Sequence, residues 1–384
     1  MTEAAGKGER FKGTQADLRF GSNAVRLSPR EWQIVGAIFL GYVLLMPSVW
    51  ERLESFRPQA DYRIPYDLSN DYWVFRRCAR SPEAPNATLV VGDSVIWGQY
   101  VTKEQTLTHY LNELTGQPRF ANLGVDGMHP VALAGLLQDY GEAIAGRNVL
   151  LHCNLLWTGS EKHDLQTEKT FSFNHPALVP QFRPNIRCYG EPYSKRLGIA
   201  IERNVPFYAW TAHLRLRYLD KMDLPAWTLE NPQAVPFANV RLEIPEPGAR
   251  LLHEPIPWTR RGIARQDFAW VELKTSLQWR FFRQAVRILQ RRGNRVFVLV
   301  GPFNEHMLTD ASRAVYAKNK RTVEAWLKKE GIPFFAPTPL PSEQYADASH
   351  PLSEGYAQLA RLLVEDTSFA AFDAPFPACA ASGE

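Results

Sequence analysis

The hydrophobic pattern of this chain has one interruption-free stretch and then a long alternation. From Trp32 to Trp50, nineteen consecutive positions carry no formal charge. As a helix rising 1.5 Å per residue, such a run extends about 28 Å, close to the hydrocarbon thickness of a bilayer. A tryptophan stands at each end, where an amphipathic ring suits the membrane–water boundary. A core helix this apolar would need a partner on every face. A cleavable signal peptide would be shorter, nearer the start and followed by a small-residue cleavage site. The pattern therefore predicts a transmembrane anchor over residues 32–50, preceded by an N-terminal tail over 1–31. Lys12, Arg19, Arg26 and Arg30 precede the span, while Arg52, Arg57 and Arg63 follow it; this slight excess favours a cytoplasmic N-terminus.

A Pro-rich, aromatic connector over 51–85 leads into the alternation. The β-branched run from Ala87 to Val91, ending at Gly92, reads as a buried strand. Thr102 and Gln105 make a capping box for a helix to about Thr115, stopped by Gly116. Phe120–Leu123 is a second strand. Pro130 opens and Gly146 closes a helix over Val131–Ala145. Asn148–His152 is a third strand, Trp270–Arg292 a helix, Arg295–Val300 a fourth strand, Asp310–Glu330 a helix, Ile332–Ala336 a fifth strand and Leu352–Glu365 a closing helix. Strands joined by helices of this length require parallel crossovers. The expected architecture is α/β: a three-layer doubly wound parallel sheet within residues 86–370, followed by a tail over 371–384. The alternation fails between about 156 and 269, a stretch rich in Pro, Trp, Tyr, Phe and Arg with a helix expected at Tyr208–Met222. A structureless loop of that length is foreign to a compact domain, so this is a large insertion packed over one edge or mouth of the sheet.

Composition narrows the function. Hydrophobic residues at 45% and charged residues at 22% are ordinary globular usage and exclude wholesale disorder. A formal net charge of +4, scattered along the chain, gives no footprint for nucleic acid. Cys78, Cys153, Cys188 and Cys379 lack CxxC spacing, so neither a zinc site nor a disulfide scaffold is expected; no metal and no cofactor is called for. Asn86-Ala-Thr88 is formally a glycosylation sequon, meaningful only in a eukaryotic secretory setting.

The candidate chemistry lies at the carboxyl ends of the expected strands, where open α/β sheets place ligands. The first strand ends in Gly92-Asp93-Ser94-Val95. A serine there stands exposed at the start of a helix, although the same residues also make an ordinary turn and N-cap. The last loop carries Asp347-Ala-Ser-His350. A carboxylate three residues before an imidazole can turn back and fix the tautomer that leaves the other nitrogen as a base. Both features meet at one end of the sheet. Asp93 suits a turn-holding role and is also a candidate substrate contact. Asn304, Glu305 and His306, in the loop after the fourth strand, are candidate contacts or loop caps, and His152 and Cys153 read as packing against the sheet.

These residues resemble the SGNH (GDSL-like) hydrolase superfamily. Gly92-Asp93-Ser94-Val95 matches its first block, Asn122-Leu-Gly124-Val-Asp-Gly127 looks like the second, and Asp347-x-x-His350 matches the fifth. The third block, Gly-x-Asn-Asp, corresponds by position to His152-Cys153-Asn154-Leu155, where only Asn154 survives. The likeness covers about 87–157 and 294–366 and leaves the insertion unmatched. It implies Ser94 as nucleophile, His350 as base and Asp347 as its orienting carboxylate. The Ser94 and Gly124 amides and the Asn154 side chain would form the oxyanion hole. With an anchor and an insertion, the layout is similar to membrane-anchored SGNH proteins that work beside a multi-spanning membrane-bound O-acyltransferase, as in alginate acetylation or teichoic-acid D-alanylation. That implies a serine acyltransferase or esterase on O-acyl groups, acetyl foremost, of a cell-surface polysaccharide or glycolipid. It would be single-pass in the inner (cytoplasmic) membrane, its domain on the exoplasmic, periplasmic side. The alternative is a non-catalytic SGNH-fold subunit that binds polymer or docks on the acyltransferase. Trp210, Trp227, Trp258, Tyr189 and Tyr193 suit sugar stacking or simple packing. Arg260, Arg261 and Arg265 suit an anionic polymer, lipid headgroups or a solvated basic face.

Overall fold

A computed structural model describes residues 27–59, 61–80, 87–235, 238, 240–246 and 251–373. Lys12, Arg19, Arg26, Asn86, Cys379 and most of both terminal tails lie outside them. The chain divides into two compact units, Met1–Val49 and Trp50–Glu384.

In the first unit, Ser28 N–H donates to Glu31 Oε2 (2.7 Å) and Glu31 N–H donates to Ser28 Oγ (3.3 Å). This reciprocal cap starts helix α1 (Pro29–Leu53). The helix is long and apolar enough to cross a membrane, and Ile38, Phe39, Leu44 and Leu45 stand exposed along it.

The second unit is mixed α/β around a five-stranded, all-parallel sheet. Its strands are β1 (Thr88–Gly92), β2 (Phe120–Gly124), β3 (Asn148–Cys153), β4 (Arg295–Val300) and β5 (Phe334–Phe335), in the order β2-β1-β3-β4-β5. Buried apolar runs on adjacent parallel strands are what covering from both faces demands. Val90, Leu150, Phe297 and Leu299 share one core with helices α4 (Leu107–Thr115), α11 (Ser353–Glu365) and α12 (Thr367–Asp373). Helix α5 (Pro130–Tyr140) packs on α9 (Leu277–Arg291), which itself touches β3 and β4. Helix α10 (Asp310–Lys329) leads to β5. The strand order turns back at β1, whose two neighbours are the next two strands in sequence. Loops leaving the carboxyl ends diverge there and open a crevice.

Side-chain caps move several helix ends away from the positions read from sequence. Helix α5, expected to reach Ala145, ends at Tyr140 because the Arg292 guanidinium takes the carbonyls of Leu137 and Gly141, each at 2.7 Å. Helix α9, expected from Trp270, begins at Leu277. Ser276 caps it by accepting from Trp279 N–H (3.0 Å), and the buried Asp164 accepts from Leu277 N–H (2.9 Å) and Gln278 N–H (3.0 Å). The Thr102 capping box closes only a 3-10 turn, and Thr106 starts α4.

The connector contains a helix that its prolines conceal, α2 (Tyr72–Arg80), and the insertion contains α6 (Tyr193–Asn204), α7 (Pro206–Tyr218) and α8 (Leu224–Glu230). Helix α7 stops short of Met222 because Asp220 and Lys221 adopt left-handed φ of 50° and 68°. Trp210, Trp227, Trp258 and Tyr189 are buried, while Tyr193 is exposed. Trp258 pins the insertion to the last loop: its N–H donates to Tyr345 O (3.0 Å) and its Nε1 to Ser342 Oγ (3.1 Å).

Candidate active site

Strand β1 ends at Gly92, and the chain turns at once into a single helical turn, α3 (Ser94–Trp97). Asp93 caps that turn, accepting from Val95 N–H (3.0 Å). Its carboxylate is buried and accepts three further bonds: His152 Nδ1 (3.0 Å), Asn154 Nδ2 (2.8 Å) and Trp157 Nε1 (2.9 Å). Burial alone would raise this carboxyl. The facing His152 and the three side-chain donors outweigh it and hold the group far below the usual carboxylate range. Asp93 is thus turned inward, tying β1 to the end of β3 and fixing the turn that carries Ser94.

The last loop supplies the other half. His350 Nε2 lies 2.8 Å from Ser94 Oγ, and His350 Nδ1 lies 2.8 Å from both Asp347 carboxylate oxygens. With a carboxylate accepting at Nδ1, that nitrogen carries the proton, and Nε2 presents its lone pair to the Ser94 hydroxyl. Asp347 is itself steadied by the backbone N–H groups of Ser349 and His350, both at 3.0 Å. Burial would raise its carboxyl, but the adjacent imidazole and these donors hold it far below the usual range. For His350 the balance is reversed: burial would lower it, and Asp347, with help from Asp93 and Asp126, raises it above an ordinary histidine.

The residues proposed for the oxyanion hole separate. Gly124 N–H donates to Asn122 Oδ1 at 2.9 Å and is committed there. Its lack of a side chain has another cause: a Cβ would sit 2.3 Å from Trp97 N, so only glycine lets α3 pack on β2. Asn154 gives one amide hydrogen to Asp93 and accepts from Leu156 N–H at 3.0 Å, which leaves one amide hydrogen. Ser94 N–H, first in its helical turn, has no helical acceptor. Gly127 follows Asp126, whose carboxylate interacts with His350 and Asp93, and holds a left-handed φ of 68°. Among the hydrogen bonds of the described residues, none uses its N–H.

Asn304 and His306 also face inward. Asn304 is fully buried; its N–H donates to Ala348 O (2.9 Å) and its Nδ2 to Asp347 O (3.1 Å), so it braces the loop beneath His350. His306 Nε2 pairs with Leu340 O at 2.9 Å. In the sequence His152 reads only as packing, and Trp157, Tyr100 and Asp126 carry no signal of a role. His152 lies two residues before Asn154, and that adjacency is its only signal. The Tyr100 ring lies 5.5 Å from that of His350, and the Arg261 guanidinium lies 4.9 Å from the Tyr100 ring centroid. No group of three or more His, Cys, Asp or Glu residues among the described residues is arranged to hold a metal ion.

A serine hydroxyl, an imidazole with one nitrogen free and a buried carboxylate in series can generate a nucleophile without prior ionisation of the serine. No protein-family model matches this chain, and no curated protein matches it.

Proposed function

We propose that this chain is a membrane-anchored serine acyl-transfer enzyme with an SGNH-like, three-layer doubly wound domain. The observation that carries the reading is the continuous Ser94–His350–Asp347 contact, 2.8 Å at each step, across 256 residues of sequence. His350 takes the Ser94 proton as the oxygen attacks an ester carbonyl, and Asp347 stabilises the resulting imidazolium. The tetrahedral oxyanion is received by Ser94 N–H, with the Asn154 amide hydrogen that Asp93 leaves unused as a second donor; each such donor is worth about 10²–10³ in rate. Collapse expels the alcohol, which takes its proton from His350 and leaves an acyl-serine. Water then completes hydrolysis, and a sugar hydroxyl completes transfer.

Helix α1 supports an anchor, and the insertion pinned over the last loop supports restricted water access, which favours transfer. The setting is the exoplasmic, periplasmic face of the inner membrane. The substrate is an O-acyl group, acetyl foremost, passed to a cell-surface polysaccharide or glycolipid, and a multi-spanning membrane-bound O-acyltransferase is the fitting partner. Incubation with a fluorophosphonate probe tests the reading: the wild-type chain should be labelled at Ser94 and Ser94→Ala should not. A folded wild-type chain that resists labelling, together with Ser94→Ala retaining function, would leave a non-catalytic binding subunit. Mass spectrometry of a glycan incubated with an acyl donor separates transfer from hydrolysis.

A further inference from the structure

The start of the second unit lies beside a feature unrelated to the Ser94 site. Trp50, the last residue of the apolar run, packs its ring 6.1 Å from Tyr218 and 5.9 Å from Trp210 on α7. Tyr218 therefore lies beside the point at which the chain enters the domain. On the same residue opens a hollow of about 310 Å³ lined by Arg217, Tyr218, Asp220, Ala238 and Arg241. Arg217 lies 5.1 Å over the Tyr218 ring and donates one long bond, 3.4 Å, to Glu243 O. Its Nε is buried without a partner. Arg241 is exposed. Among the described residues neither guanidinium forms an ion pair. Asp220, the acid lining the hollow, accepts from Trp227 Nε1 at 3.2 Å. Beyond it, α8 and the following turn hold Leu224, Leu229 and Val235 exposed at 50%, 82% and 62%.

We infer that this hollow is a headgroup site for an anionic phospholipid, with Arg217 and Arg241 on the phosphate and Leu224, Leu229 and Val235 resting in the acyl boundary. The inference rests on the reading of α1 as a membrane anchor. Two guanidiniums without carboxylate partners match a phosphate diester. Bulky apolar side chains exposed within several residues of cationic ones along the chain match a surface that lies in the interfacial plane. Chain continuity supports this setting: Trp50 follows the last residue of the first unit, and Tyr218, in contact with Trp50, lines the hollow.

The full chain in nanodiscs provides the test. Native mass spectrometry after release from discs of mixed phosphatidylglycerol and phosphatidylcholine should show phosphatidylglycerol retained in preference. Each arginine should contribute about fivefold, so Arg241→Gln loses about fivefold and the double variant with Arg217→Gln about 25-fold. Arg241→Gln alters an exposed side chain and keeps the test independent of folding. Equal retention of both lipids overturns the inference. So does loss of the preference when inorganic phosphate or glycerol phosphate is added in millimolar amounts, which would make the hollow a site for soluble anions. A spin label at Leu229→Cys should read a lipid environment, and one at Val315→Cys on α10 should read water. A label at Leu229→Cys that reads water, or that is shielded from both water and lipid, also overturns it. A label at Leu40→Cys separates the two readings: water there removes the anchor itself, whereas lipid there with no headgroup preference removes only this inference.

Discussion

Two buried histidines in this molecule look alike in composition and are opposite in wiring. His350 meets a carboxylate at Nδ1 and a hydroxyl at Nε2. His213, on α7, meets Asp71 at Nδ1 (2.7 Å) and Glu54 at Nε2 (2.9 Å), while Glu54 also accepts from Arg77 (2.6 Å) and Tyr218 (2.9 Å). For each, burial alone would lower the imidazole and the facing carboxylates raise it; His213 reaches about 9. With both nitrogens on carboxylates, His213 is a fixed cation that ties α7 to α2 and to the foot of α1. His350 is left one nitrogen that can accept a proton from a hydroxyl. One neighbour, a serine in place of a second carboxylate, separates a clamp from a base.

The hardest test of that contrast is Asp347→Asn. The variant keeps a hydrogen-bonding side chain but reverses the tautomer it favours, so hydrolysis of an activated aryl ester should fall by about 10⁴ in kcat with little change in melting temperature. Activity within tenfold of wild type would mean that His350 is wired only for structure, like His213. Glu54→Gln probes the other side. It leaves Arg77 and a protonated His213 facing Asp71 alone, and breaking a buried charged network of this kind costs about 3–5 kcal/mol of stability. Chemical denaturation should show that loss, and ester turnover per folded molecule should stay within about twofold, since additivity holds for independent sites.

Titration separates the pair further. The folded His213 pKa of about 9 lies above the ordinary value, so its contribution to stability is complete below about pH 6.5 and declines as pH rises through about 9. Stability measured across that window should decline in the wild type, and the decline should flatten in His213→Gln. For His350 the active form is the neutral one. Its raised pKa places the rising limb of kcat/KM above the ordinary imidazole midpoint, and Ser94 reactivity should fall as pH drops below it. A limb at or below the ordinary midpoint would mean that Asp347 does not govern His350 in the free protein.

How far the sequence could be read follows the same division between local and long-range causes. The strands were legible because apolar runs bounded by glycine are local signals; β1 and β4 lie at or within a residue of where their patterns put them. The proximity of Ser94 and His350 was legible through the sheet rule that gathers strand ends. Helix ends were not, because Arg292 and Asp164 cap α5 and α9 from far along the chain. The clamp around His213 was invisible for the same reason: Glu54, Asp71, Arg77 and His213 form no motif, and α2 lies in a stretch whose prolines read as connector. In the candidate site, spacing located the reacting groups but not the direction of each amide. Gly124 matched a pattern, yet its N–H is held by Asn122.

The finest distinction concerns Asp93, which forms a third buried carboxylate–imidazole pair with His152 and whose hydrogen-bond partners do not include Ser94 Oγ. Its role is to hold the turn that presents Ser94, through four donors of which Trp157 is one. Trp157→Phe keeps the ring and removes a single bond to a charged group, which costs about 1.5–3 kcal/mol. Asn154 still donates to the same carboxylate oxygen, so the lower end of that range is expected in stability. If Asp93 acts by position, kcat should fall by a factor of about ten, because a small displacement of the nucleophile weakens its alignment, while the pH midpoint of the reaction stays where His350 and Asp347 set it. A shifted midpoint with unchanged kcat at its plateau would instead mean that Asp93 acts on the site chiefly through its charge on His350, and the line drawn between groups that fix geometry and groups that set proton affinity would have to move.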